Sequence, residues 1–258
     1  MNLDGRRAEV SWVNMRNIKL TIEYDGTAYH GWQSQVNAAA VQDIVTKAVG
    51  KLTGECSSIT GSSRTDTGVH ALGQVCNFLT ESTIPADKFA FALNTLLPED
   101  ITVQKSEEVS ADFHSRFSTR GKKYRYLFYN SVFPSALLRN RAYHVFYPLN
   151  VDAMEQAARH FVGTHDFAAF CATGSSVKTT VRTITEASVT GNGRMVEFSI
   201  AGDGFLYNMV RIIAGTLVEI GFGRVKPDAV PGIIAGLDRK KAGRTAPAHG
   251  LYLVEVYY

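Results

Sequence analysis

Residues 18–24 read IKLTIEY, in which apolar or aromatic side chains at positions 18, 20, 22 and 24 alternate with polar ones. A period of two is typical of a strand that is buried on one face. Apolar residues at helical spacing follow over 41–52 and predict an amphipathic helix. Two strands at 57–61 and 73–79, a shorter helix at 89–96 and a strand at 101–107 complete a strand, helix, strand, strand, helix, strand order.

The second half of the chain repeats this order. A strand is predicted at 123–129 and a helix at 154–161. The next two strands, 183–190 and 195–201, flank Gly191-Asn192-Gly193, which predicts a hairpin because Asn and Gly tolerate positive φ. The remaining elements are a helix at 208–221, a short helix after Pro227 and a strand at 251–257.

Two β-α-β-β-α-β units predict an α+β fold of two ferredoxin-like domains, with antiparallel sheets that carry helices on one face. We place the N-terminal domain at 16–115 and the C-terminal domain at 116–258, after a loose N-terminal extension at 1–15. RNA-recognition domains use the same topology and offer a sheet face to RNA. Topology alone does not give a function.

Composition limits the class of protein. The chain has 258 residues, 45% of them hydrophobic, and a net charge of +3, which is typical of a globular protein with a core. Charges interrupt every apolar stretch before it reaches membrane-spanning length, and residues 1–14 lack the apolar segment of a signal peptide. The three cysteines, Cys56, Cys76 and Cys171, are far apart, so we expect no disulfide framework, no cysteine zinc site and a reducing cytoplasm.

Two clusters of basic residues stand out. The first is Arg116, Arg120, Lys122, Lys123 and Arg125, and the second is Arg239, Lys240, Lys241 and Arg244. Such clusters suit a phosphate backbone, although a solvated protein face has the same composition. Aromatic residues at 124, 126, 128 and 129 adjoin the first cluster and favour RNA, so Lys122 and Lys123 are predicted to bind substrate.

The segment that joins two of the predicted strands, residues 61–71, reads GSSRTDTGVHA. It sets Asp66 close to Arg64 among small residues, and small neighbours leave room for a substrate to approach. A cation within reach would hold Asp66 ionised. An Asp followed by Thr-Gly is also typical of an ordinary turn, so these residues alone allow a catalytic or a structural Asp66.

Residues 64–71, RTDTGVHA, resemble the signature of the pseudouridine synthase I family, whose members act on the anticodon arm of tRNA. Other stretches similar to the family follow in its order across residues 18–258. They are 24–33, 73–75, 93–94, 97–98, 100–101, 113–117, 123–126, 163–167, 205–211 and 246–251. The sequence departs from the family at Ser63, where many members have Gly, and residues 1–14 have no counterpart.

The resemblance implies an isomerase that converts uridine to pseudouridine at positions 38, 39 and 40 of tRNA, without a cofactor or a metal. Asp66 would be the nucleophile, since a carboxylate can attack either C1′ of the ribose or C6 of the base and later leave. The sequence does not choose between these two carbons. The resemblance also implies a homodimer that holds tRNA across both subunits.

Four further residues take roles by resemblance. Arg211 would pair with Asp66 and keep it charged, and Tyr124 would stack on the uracil as a second catalytic residue. Arg64 would assist in flipping the target nucleotide out of the stem, and Leu251 would pack against the base. Without the resemblance, Arg211 would be a surface Arg, Tyr124 a cross-strand aromatic and Leu251 a core strand residue.

The histidines within the matching stretches take lesser parts. We expect His70, inside the signature, to order its loop rather than to transfer protons. We expect His30, His114 and His165 to serve the structure or to contact RNA.

Two other classes of protein compete with this interpretation. A non-catalytic RNA-binding protein with two RNA-recognition domains would explain the sheets and the basic clusters. It would not explain Asp66, and its aromatic RNP motifs are missing from the sequence. A hydrolase using Asp66 and Asp203 as a carboxylate pair has no other support. The motifs of P-loop NTPases, G-x-S-x-G hydrolases and zinc deaminases are also missing.

Overall fold

The computed structural model describes residues 15–174 and 177–258. The predicted extension at 1–15 therefore lies, apart from Met15, outside the described residues. Within the described part, no helix is both long and apolar enough to cross a membrane.

Strands and helices follow the predicted order in both halves. The first half contains β1 (Arg16–Tyr24), α1 (Val41–Thr53), β2 (Thr60–Gly61), β3 (His70–Thr80), α2 (Phe89–Asn94) and β4 (Ile101–Val109). The second half begins with β5 (Gly121–Asn130), β6 (Tyr143–Val145), α3 (Val151–Arg159), β7 (Gly163–Asp166) and β8 (Val181–Asn192). It ends with β9 (Met195–Gly202), α4 (Met209–Gly221), α5 (Val230–Ala235) and β10 (Leu251–Tyr257).

The described strands form one sheet in the order β4-β1-β3-β10-β5-β9-β8-β7, with β2 beside β3 and β6 beside β5. Each half has the strand arrangement of a ferredoxin-like unit, and most neighbours are antiparallel. The predicted α+β class is confirmed. The two halves join where β10 runs parallel to β3, with Tyr252 opposite His70. Because the sheet continues across the halves, a domain boundary at 115/116 stays a prediction.

The period-two pattern of β1 predicts its burial correctly. The side chains of Ile18, Leu20, Ile22 and Tyr24 are all buried in the hydrophobic core. Burying each aliphatic side chain of this size contributes about 1.5–3 kcal/mol to stability. The apolar face of α1 is buried in the same core, so the sheet beneath the candidate site is a firmly packed platform.

Three details differ from the sequence prediction. Strand β2 keeps only two of the five residues expected at 57–61, and β3 begins at His70 rather than at residue 73. The early start arises because His70 and Ala71 pair with β10, a partner far away in the sequence. The hairpin turn lies at Gly193 and Arg194, since Asn192 still pairs with Met195 and Gly193 takes the positive φ of 60°. Strands β6 and β7 carry no pattern that predicts them.

Candidate active site

The loop that carries Asp66, residues 62–69, is held rigidly between β2 and β3. The fully buried Gln74 donates to the Ser63 carbonyl oxygen at 2.8 Å and accepts from the Ser62 hydroxyl at 2.9 Å. On the other side, the Tyr24 hydroxyl lies 2.8 Å from Oγ1 of Thr65. These hydrogen bonds hold the backbone on both sides of Arg64, and Asp66 lies where the loop turns.

The small residues around Asp66 serve a turn as well as an open approach. Gly68 takes a φ of 78°, a left-handed conformation that favours glycine, and its N–H donates to the Tyr29 carbonyl. The Val69 N–H closes the turn on the Asp66 carbonyl at 3.1 Å. Any Cβ on Gly31 would overlap the Thr65 carbonyl oxygen. Asp66 therefore lies in a turn and still keeps its carboxylate partly exposed. A structural and a catalytic role for Asp66 do not exclude each other.

The structure brings Arg211 and Asp66 together. Nη1 of Arg211 lies 3.0 Å from Oδ2 of Asp66, and the side chains are 18% and 32% exposed, respectively. The same Nη1 donates to Oδ1 of Asn208 at 2.7 Å, and Nε donates to the Ala246 carbonyl at 2.8 Å. The guanidinium is thus fixed on several sides, while the carboxylate keeps one side open to solvent.

Asn208 is a site residue that the sequence analysis missed. It precedes α4 with a left-handed φ of 59°, and its side chain accepts from Arg211 instead of capping the helix N-terminus. This places Arg211 in the first turn of α4, on the side facing the Asp66 loop. The available signal was an Asn, a residue that tolerates this conformation, directly before a strongly apolar helix.

Tyr124 lies beside the same loop, on β5. Its ring is 7% exposed and meets Phe205 edge-on at 5.0 Å, and its hydroxyl is 3.3 Å from Oγ of Ser63. Burial raises the pKa of Tyr124 to about 12, and the nearby charge of Asp66 adds to that rise. The phenol therefore keeps its proton at neutral pH and can donate a hydrogen bond.

Leu251 directly follows a loop that contacts the candidate site. It is buried at the start of β10 opposite Tyr126, whose hydroxyl donates to the Pro247 carbonyl at 2.6 Å. The preceding loop, 246–250, carries the carbonyl that holds Arg211, and Ala248 lies next to Gly68 of the Asp66 loop. A loop near the C-terminus thus contacts both Arg211 and the loop that carries Asp66.

The other predicted substrate-binding residues are more dispersed. Arg64 is exposed, and within the described part of the chain no hydrogen bond or ion pair holds its guanidinium. Lys122 lies on the Tyr124 side of β5, and burial, followed by the charge of Arg116, lowers its pKa to about 8. Lys123 points to the opposite face, where Nζ lies 3.4 Å from Oε2 of Glu186.

Not all side chains of the two basic clusters are exposed and free of protein contacts. In the first, Arg125 is half-buried and stacks on Tyr252 at 4.8 Å, and its buried Nε has no partner among the described residues. In the second, Arg239 donates to the Gly243 carbonyl at 2.9 Å and thereby supports the chain before Ala246.

Asp203, the second acid of the hydrolase alternative, accepts from the Thr183 N–H at 3.0 Å and orders the end of the β8–β9 pair.

His70 has the structural contacts expected of a residue that orders a loop. Its buried Nδ1 accepts from the Gly26 N–H at 3.0 Å, so the proton of the neutral ring lies on Nε2, which is 2.8 Å from the Asn140 carbonyl. The ring stacks on Tyr252 at 4.7 Å. Burial lowers the pKa of His70 below its ordinary value of 6.5, although the charge of Asp25 opposes the shift.

Acidification is expected to destabilise the protein through His70. Near pH 6.5 the unfolded chain gains a proton that the buried ring resists, so stability is complete above that pH and falls as the pH drops below it. The melting temperature should fall between pH 7.5 and pH 5.5, and less so in His70→Gln. The drop should shrink rather than vanish, because burial also lowers the pKa of His249. An equal drop in His70→Gln and in the exposed-site control His30→Gln would contradict this.

Comparisons with known proteins agree on one family. A profile described as tRNA pseudouridine synthase matches residues 20–118 and 157–258. The chain is 61% identical over 244 residues to a tRNA pseudouridine synthase A of Acetivibrio thermocellus, which covers 95% of this chain and all of that protein. The corresponding proteins of Ruminiclostridium cellulolyticum and Clostridium acetobutylicum are 59% and 50% identical, each over 95% of this chain and their whole length.

Solved structures give a weaker likeness. An archaeal box H/ACA sRNP Nop10-Cbf5 complex contains a chain with a TM-score of 0.37 and 11% identity, covering 78% of this chain and 44% of that one. A Cbf5-Nop10-Gar1 complex gives a TM-score of 0.35 and 15% identity, covering 78% and 45%. At these scores the matches support no argument about the site.

Proposed function

Because this chain belongs to the tRNA pseudouridine synthase family, a family of isomerases, we propose that it isomerises uridine in the anticodon stem-loop of tRNA, with Asp66 as the nucleophile. The target positions would be 38, 39 and 40. The observation that carries the proposal is the 3.0 Å pair between Asp66 and Arg211 in the RTDTGVHA loop. It sets a partly exposed carboxylate, oriented by a guanidinium, beside the loop that Tyr124 also contacts.

The reaction needs a group that attacks and later leaves. Asp66 adds to C1′ of the ribose or to C6 of the uracil, and the bond from N1 to C1′ breaks. The uracil then turns within the pocket, and C5 forms the new bond to C1′. An Asp66 bonded to C1′ leaves as C5 attacks that carbon, whereas an Asp66 bonded to C6 leaves after the attack. C5 finally loses its proton and N1 gains one, so that the product is an isomer of the substrate.

Arg211 and Tyr124 have distinct parts in this scheme. Arg211 holds the Asp66 carboxylate in one orientation, because its guanidinium is itself fixed by Asn208 and Ala246. Tyr124 packs against the uracil, and its protonated hydroxyl can donate to a polar atom of the base. Leu251 supplies an apolar wall that keeps the turning base in place.

The residues outside the pocket suit the entry of RNA. A uridine inside a stem must be unstacked, at a cost of a few kcal/mol. The exposed guanidinium of Arg64, which has no partner within residues 15–174 and 177–258, lies two residues from Asp66 and is suited to fill the gap that the uridine leaves. Lys122 and Lys123 would contact phosphates on the two sides of β5.

Three broader features complete the proposal. We propose a homodimer, with tRNA held across both subunits, and a cytoplasmic location. All three cysteines are free, as a reducing compartment requires. We also propose that residues 16–115 and 116–258 act as two domains that share one sheet, so that the pocket between them is built from both.

The test is pseudouridine formation on an unmodified tRNA transcript that carries U38, U39 and U40, with no cofactor added. Mapping of each modified position should place every product in the anticodon arm, and a transcript with cytidine at all three positions should stay unmodified. Product elsewhere in the tRNA would overturn the proposed target. Tight binding without any product would favour the non-catalytic RNA-binding protein.

A further inference from the structure

The segment between β4 and β5 holds an aromatic ring out in solvent. Phe117 is 76% exposed, although the chain around it is tightly tied. The buried Ser115 receives a hydrogen bond from the Tyr258 hydroxyl at 2.8 Å and donates its own hydroxyl to the Thr60 carbonyl at 2.6 Å. The Ser118 N–H closes the loop on the His114 carbonyl at 2.9 Å. Core packing does not explain why so rigid a loop presents a phenyl ring to water.

Two planar polar groups accompany the ring. The imidazole of His114 lies 4.3 Å from the Phe117 ring centre at an interplanar angle of 31°, and the Arg116 guanidinium lies 5.8 Å from it. Nδ1 of His114 accepts from the backbone N–H groups of Arg116 and Phe117, which fixes the imidazole in place. The result is a preorganised group of flat surfaces, and such a group suits the stacking of another planar ring.

The charged residues of the loop that follow Asp112 are all basic. Residues 113–125 contain no Asp or Glu, and Arg116 and Arg120 are exposed. The Arg116 charge reaches Lys122 and contributes to lowering its pKa to about 8, after burial. Cations beside an exposed aromatic ring are the combination that single-stranded nucleic acid binds. A symmetric contact with a second copy would bring these like charges together and is disfavoured.

The loop also adjoins the candidate active site without belonging to it. Thr60, which accepts from Ser115, lies on β2, and this strand leads directly into the Asp66 loop. Lys122 lies two residues before Tyr124 on the same side of β5. A nucleotide near the target uridine would therefore pass this loop.

We propose that Phe117, with His114 and Arg116, is a stacking platform for one unpaired base of the bound RNA, outside the uracil pocket. The base belongs to a nucleotide neighbouring the target in the anticodon loop, and Arg116 contacts its phosphate. This inference rests on RNA being the substrate, as proposed above.

The test compares Phe117→Leu with Phe117→Trp in the full chain. The dissociation constant for an anticodon stem-loop RNA should rise about 10-fold to 100-fold in Phe117→Leu, because one stacked base is lost. In Phe117→Trp it should stay within about threefold, and RNA should quench the new indole. The matched control is Phe91→Leu, since Phe91 is 70% exposed and has Lys88 over its ring at 5.3 Å, yet lies on α2. It should bind RNA as the wild type does.

Three outcomes would overturn the platform. The first is an unchanged RNA affinity in Phe117→Leu, and the second is an equal loss of RNA affinity in Phe91→Leu. The third is a loss of self-association in Phe117→Leu while each remaining molecule binds RNA with the wild-type affinity. Conversion of tRNA by the wild type with no effect of Phe117→Leu would reject the platform and leave the proposed function standing. Weaker RNA binding in Phe117→Leu, with no pseudouridine formed by the wild type, would support the platform and reject the proposed function.

Discussion

Pseudouridine formation is expected to cease when Asp66 is replaced by alanine or asparagine. Neither substitute can form and later break the covalent bond to the substrate. A loss of more than about a thousandfold corresponds to about 4 kcal/mol of barrier, since each tenfold costs about 1.4 kcal/mol. The measurement is single-turnover conversion of the tRNA transcript with enzyme in excess.

The same variants should still bind tRNA, because removing a negative charge does not weaken contacts with phosphates. Asp203→Asn is the matched control, since an asparagine oxygen can still accept from the Thr183 N–H. It should convert tRNA at the wild-type rate. Residual activity above about one percent in Asp66→Asn would remove Asp66 as the nucleophile, and a comparable loss in Asp203→Asn would revive the carboxylate-pair alternative.

Replacing Arg211 with methionine is expected to have the second largest effect. The Asp66 carboxylate would lose its cation partner and its orientation, while Asn208 and the Ala246 carbonyl would lose their donor. We expect kcat to fall about 100-fold or more, as when a group that orients the reacting atoms is lost. The free energy of unfolding should drop by about 1–3 kcal/mol, toward the low end because the Asp66 side is partly exposed.

Two variants show whether the effect belongs to the site. Arg211→Lys keeps the charge but cannot donate to Asp66 and Ala246 with one planar group, so kcat should recover only in part. Arg224→Met breaks an exposed 3.0 Å pair with Glu219 beyond the opposite end of α4, and both kcat and stability should stay close to wild type. A wild-type kcat in Arg211→Met would show that the pair serves only the structure.

Strand β5 shows which features a sequence can predict and which it cannot. The strand at 123–129 was predicted from its composition, and the period of two already implies that Lys122 and Lys123 point to opposite faces. The sequence could not reveal that Lys123 meets Glu186, or that Arg125 stacks on Tyr252, because both partners come from other strands. Asn208 was missed for a related reason, since its φ and its bond to Arg211 depend on where α4 begins.

The order of strands and helices, the buried face of β1 and the resemblance carried by RTDTGVHA are all evident from the amino-acid sequence. These features are local, because side-chain periodicity and turn chemistry act within a few residues of the chain. Three features depend on the folded chain: β10 pairs with β3, the two halves share one sheet, and Arg211 lies 3.0 Å from an acid 145 positions away. Such contacts form only when burial of the whole core offsets the entropy of closing long loops, and no local pattern encodes which distant partners then meet.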